Sequence, residues 1–231
     1  MSFSPDNQTL ATASNDGTVR LWHRDGRSLI TLKGHDDTVY DVNFSSDGET
    51  LITAGDDGTV RLWHRNGEER AVLQTLTRSG TWRAIFSPND QLIAASSEDG
   101  TVSLWQRDGR FIGQFQGHRA GVSGISFSPD NQLIATGSDD ATVKLWRVKD
   151  QTLITTLAGH KEAVNSISFS PDGNLLATVS SDDTVLLWKE TDDLTVSHLL
   201  NRGCLWLNDY LKSNLRHQEN NASSKVDICG Y

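Results

Sequence analysis

The chain has 231 residues, and its 21 Lys and Arg against 30 Asp and Glu leave a formal charge of −9. That balance argues against general nucleic-acid binding, which needs cationic surface for the phosphates. No apolar run approaches the roughly 18 residues of a membrane span. The opening MSFSPDNQ has neither the basic nor the apolar segment of a secretion signal, so a soluble protein of a reducing, cytoplasmic compartment is expected.

Repetition organises the sequence. Trp22, Trp63, Trp105, Trp146 and Trp188 follow one another at intervals of 41, 42, 41 and 42 residues, each closing a phrase such as DGTVRLW (16–22) or DATVKLW (140–146). A second phrase recurs earlier in each unit, from SFSPDN (2–7) to SFSPDG (168–173). A third is Gly-His, at Gly34–His35, Gly117–His118 and Gly159–His160.

In chain order, the first unit starts at SFSPD, without a Gly-His pair and without most of an innermost strand. The second shows the full pattern. TVYDVNFS is rich in β-branched and aromatic residues and runs into the turn SDG; TLITAG follows, then DDG, then TVRLW with Val60 and Leu62 alternating against Thr59, Arg61 and Trp63. NG turns the chain again into RAVLQTL. Period-two alternation between tight-turn residues predicts four antiparallel strands per unit. Such a sheet has two apolar faces and must stack on its neighbours, and radial stacking of four-stranded sheets makes a β-propeller. The third unit keeps Asp99 and Trp105 but lacks Gly-His, and its loop LTRSGTWRAIF is two residues shorter than LKGHDDTVYDVNF. The fourth and fifth units are complete through Trp188. KETDD then breaks the pattern, and Val196, Leu199, Leu200, Cys204, Leu207, Tyr210 and Leu211 recur at spacings of three and four. That predicts an amphipathic helix, followed by a loop over 216–225. Two domains are expected, a propeller segment over 1–190 and a helix with its tail over 191–231. Cys204 and Cys229 are too few for a disulfide scaffold and are read as thiols.

The Gly-His…Asp-x-Thr-x-x-x-Trp spacing resembles the tryptophan–aspartate (WD) repeat β-propellers over about residues 1–190. The Asp that follows Trp in that family is replaced throughout, by His23, His64, Gln106, Arg147 and Lys189. The tail RGC-x-WL-x-DYL…C resembles the one that follows WD arrays in cyanobacterial multidomain proteins. The fold class implied is all-β: about five four-stranded blades, the first incomplete and the ring open, plus the C-terminal helix. Known members usually close with seven blades, so the chain is expected to be part of a longer propeller or a truncated copy.

The resemblance also assigns roles. His35 with Asp57 and Trp63, His118 with Asp140 and Trp146, and His160 with Asp182 and Trp188 form buried hydrogen-bond relays in that family. A hydroxyl lies between the members of each set: Thr53, then Ser138 or Thr136, then Ser180 or Thr178. Ser138 and Ser180 are assigned to the relay. Ser, His and Asp together invite a hydrolase triad, but one triad per repeat has no catalytic purpose, and the sets are read as structural staples. No phosphate loop, no H-E-x-x-H and no metal-ligand spacing occurs, so no enzyme, metal or cofactor is expected.

One rim of the propeller is the family's usual peptide-contact surface. It is matched here by Tyr40, Trp82, Ser123 and Asn165 at the inner-strand starts. Beside them come the residues before each turn Asp: Asn15, Asp56, Glu98, Asp139 and Ser181. Tyr40 and Trp82 are candidate anchors, and the acidic positions suit a partner segment carrying Lys or Arg. The expected function is a non-catalytic platform for a protein partner, with self-association or a fused upstream domain completing the ring. The alternative is the sensor part of a larger signalling NTPase whose catalytic domain lies elsewhere.

Overall fold

The structure, a computed structural model, describes residues 1–189. The helix and tail expected over 191–231, with Cys204 and Cys229, lie outside the described residues. Blade one consists of β1 (Ser2–Phe3), β2 (Thr9–Ala13), β3 (Thr18–His23) and β4 (Ser28–Lys33). Blade two is β5 (Val39–Phe44), β6 (Thr50–Gly55), β7 (Thr59–His64) and β8 (Glu69–Gln74), and blade three is β9 (Thr81–Phe86), β10 (Leu92–Ser97), β11 (Thr101–Gln106) and β12 (Phe111–Gln116). Blade four is β13 (Val122–Phe127), β14 (Leu133–Ser138), β15 (Thr142–Arg147) and β16 (Leu153–Ala158), and blade five shows β17 (Val164–Phe169), β18 (Leu175–Ser180) and β19 (Val185–Lys189). Each blade is an antiparallel meander in sequence order; among the described residues the fifth has three strands where the others have four. The inner strand of blade one is reduced to two pairings, Ser2 with Ala11 and Phe3 with Leu10.

The Ser-Pro-Asp phrase builds the turn between the first two strands of a blade. Ser4 Oγ donates to Asp6 Oδ1 and accepts from the Thr9 amide, and Ser128 repeats this with Asp130 and Leu133. The last turn residue has positive φ (Asn7 56°, Gly48 72°, Asp90 56°, Asn131 63°, Gly173 76°). Only Gly, Asn and Asp enter that region at low cost, which is why the phrase ends in one of them.

Alternation along the strands then gives each blade two apolar faces. Four separate cores form, one between each pair of consecutive blades, and each takes in the tryptophan of the later blade: Trp63, Trp105, Trp146 and Trp188. The blades contact one another in order along their inner strands. Among the described residues the array is an open arc.

Candidate binding rim and the buried polar relays

In blade two, His35 Nδ1 lies 2.9 Å from Asp57 Oδ2 and His35 Nε2 lies 2.7 Å from Thr53 Oγ1. The Trp63 indole N–H donates to the same Thr53 oxygen over 3.0 Å. Asp57 also accepts from the amides of Asp36 and Thr59 and from the Thr59 hydroxyl. With Nδ1–H donated to the carboxylate and Nε2 accepting from threonine, the imidazole is neutral. Burial holds the His35 pKa below its usual value despite the Asp57 carboxylate, and burial does the same at His118 beside Asp140. Burial alone would raise the two carboxyls. The hydrogen bonds they accept outweigh it, leaving Asp57 lowered and Asp140 at about 2.

Blades four and five carry the same arrangement, with one correction. The hydroxyl that meets the imidazole is Thr136 in blade four (2.7 Å) and Thr178 in blade five (2.8 Å), not Ser138 and Ser180. The Trp146 and Trp188 indoles donate to these threonines. Ser138 instead donates to the Ala120 carbonyl and accepts from the Asp140 amide, and Ser180 does the same with Glu162 and Asp182. Thr and Ser lie two apart on one strand and share a face, so alternation does not separate them. Alignment of the blades does. Thr53, Thr136 and Thr178 each lie ten residues before the Trp that bonds them, whereas the serine column holds Gly55 in blade two.

Blade three holds Ala95 in the threonine position, paired with Ser103 as Thr53 is with Arg61. Its Asp99 Oδ1 accepts from the amide and hydroxyl of Thr101.

The rim residues share a local cause. The pairing between the first two strands slips by one residue in blades two to five, and the residue left over is Tyr40, Trp82, Ser123 or Asn165. Such a bulge turns a side chain out of the strand's alternation. In blades two, four and five it then meets the residue before the turn Asp of its own blade, Tyr40 the carboxylate of Asp56. Ser123 donates to Asp139 over 2.8 Å and Asn165 to Ser181 over 2.9 Å. Tyr40 is 45% exposed, and burial of its hydroxyl together with the carboxylates of Asp56, Asp37 and Glu98 raises its pKa. Trp82 is half-buried, and a Cβ at Gly121 would collide with its ring. Gly80 serves the same closeness on the other side, since a Cβ there would collide with the Asp56 carboxylate and lie 3.6 Å from Glu98. Gly80 thus lets acidic groups of two blades, Asp56 and Glu98, lie close together near Tyr40.

Three contributors escaped the sequence reading. Asp37 joins the acidic cluster, and Gly80 permits it. Asp41, one residue beyond Tyr40, is buried and accepts from the Val42 and Ala84 amides and from Asn43. Burial raises its pKa, against Arg83, whose guanidinium lies 3.9 Å away. A charged residue inside TVYDVNF was the available signal. Among the described residues no group of three or more His, Cys, Asp or Glu side chains is placed to hold a metal ion. No described helix is long and apolar enough to cross a membrane.

Five stacked antiparallel blades, three of them with an imidazole–carboxylate–threonine–indole relay, define a repeat propeller. The family model for the WD domain, G-beta repeat, matches residues 1–23, 26–64, 71–106, 109–147 and 151–189, and the chain belongs to that family. A comparison with curated proteins finds no match.

Proposed function

We propose that the chain is a non-catalytic platform that recognises a partner protein or peptide on this rim, through Tyr40, Trp82, Ser123 and Asn165 with Asp56, Glu98 and Asp139. The partner segment carries Lys or Arg next to an apolar residue. The supporting observation is the half-exposed Tyr40 side chain set among Asp37, Asp56 and Glu98, with Trp82 at the same bulge of the next blade. An aromatic face and carboxylates attract the same cation, one through its quadrupole and the others through charge. The test is a peptide panel varying Lys, Arg and their apolar neighbours, read by calorimetry. Tyr40→Ala and Asp56→Asn should each weaken the best binder by about thirtyfold, the size of an anchor residue, while Asp150→Asn at the outer edge should not. Equal binding by all variants would refute the rim.

A further inference from the structure

The four interfaces between the described blades are built alike, and the described residues leave one half of such an interface at each end. On the face a blade turns to its successor, Val19, Val60, Val102 and Val143 occupy one position and are 2% exposed or less; Val185, the same position in blade five, is 50% exposed. Val179 stands where blade two has the fully buried Ala54, and it too is exposed. On the face turned to the preceding blade, Phe127 is 6% exposed, whereas its counterpart Phe3 in blade one is 62% exposed. Trp22 is half-buried where the four later tryptophans are buried.

An ion pair crosses the first two interfaces in a fixed sense. Arg65 of blade two reaches Asp6 of blade one over 2.8 Å and also Thr9, and Arg107 of blade three reaches Asp47 of blade two over 2.6 Å. Each arginine follows the Trp-His or Trp-Gln pair, and each aspartate belongs to the Ser-x-Asp turn. Blade one carries Arg24 in the arginine position and blade five carries Asp172 in the aspartate position, both exposed. The two ends are therefore complementary in shape class and in charge. Each is the half-interface that the other lacks.

We propose that blade five of one copy docks on blade one of a second copy, head to tail. Val179 and Val185 cover Phe3 and Trp22, and Arg24 of the second copy meets Asp172. The contact is heterologous, so each copy keeps one face of each kind and association continues until a ring closes or the protein runs out. It reuses a packing the chain already makes four times, and it does not depend on the rim reading.

Sedimentation velocity on the full chain tests it. Mass should rise with concentration. Val185→Glu and Phe3→Glu should each weaken association about a hundredfold, because each would bury an unpaired charge in the contact. The deciding experiment mixes the two variants. Each retains the face that the other has lost, so the mixture should form a 1:1 dimer and nothing larger. Arg24→Asp, on an exposed side chain that leaves the fold alone, should weaken association by up to about fivefold, as a surface ion pair does, and mixing it with Asp172→Arg should restore it. A chain monomeric at every concentration, as when residues 190–231 or other blades cover the face, overturns the proposal. So does a mixture of the two glutamate variants that stays monomeric, which would mean a symmetric contact or none.

Discussion

Blades two and three have the same strands, the same turns and a tryptophan in the same place, and they differ in what lies under the rim. In blade two the imidazole of His35 ties the loop before β5 to the Asp57 turn and to Thr53. In blade three the loop is shorter, Ala95 replaces the threonine, and the buried hydroxyls of Thr81, Ser96, Ser97 and Ser103 have no hydrogen-bond partner among the described residues. Strand pairing in blade three is nevertheless complete from β9 to β12. Apolar stacking between blades is therefore enough to make a blade, and the relay is a tie that fixes the loop above it. Blade three gives up that tie at the place where Gly80 lets Asp56 and Glu98 lie close together near Tyr40.

The largest effect should come from removing the turn aspartate. Asp57→Ala strands the His35 N–H and the amides of Asp36 and Thr59, and should cost about 2–3 kcal/mol in urea unfolding. Asp99→Ala loses only the Thr101 bonds and should cost about 1 kcal/mol. Equal costs would break the contrast between the blades.

Acid should act next, and unevenly. The lowered pKa values of His35 and His118 mean that the unfolded chain takes up protons which the folded chain refuses. Stability from these histidines is whole above the unfolded value near 6.5 and declines as pH falls below it toward the folded values. Asp57 and Asp140 are depressed in the fold, so their contribution is present above about pH 4 and is lost as pH falls below it, for Asp140 as pH approaches about 2. Hydrogen exchange should therefore show the amides of β5 and β6 losing protection between pH 7 and 5.5, with β9 and β10 unchanged. Uniform loss would place the pH response elsewhere.

A smaller difference separates neighbours in blade four. Asp140 accepts from His118, Arg119 and Thr142, whereas Asp139 accepts from Ser123. Asp140→Ala should lower the melting temperature clearly and Asp139→Ala only slightly, with about 1 kcal/mol or more between them. The smallest effect is Arg147→Ala, which removes an exposed pair with Asp150 and should cost about 0.5 kcal/mol or less.

Most of the fold was legible because its signals are local. The strands follow from alternation in phrases such as TVRLW, the turns from Asp-Gly and Ser-Pro-Asp, and the blades from the spacing of Trp22 through Trp188. The relay was legible in its histidines, aspartates and tryptophans. Its hydroxyls were misassigned in blades four and five because Thr136 and Ser138 share a face, and only the reach of the imidazole and indole across strands selects the threonine. The pairing of Tyr40 with Asp56, the nearness of Glu98 to Gly80, and the burial of Asp41 beside Arg83 join residues 16 to 42 apart in sequence. No period in the sequence reports those distances. A repeat written in the chain determines what each blade is, because hydrogen-bonded neighbours are close in sequence. What two blades make between them is decided only when they stack.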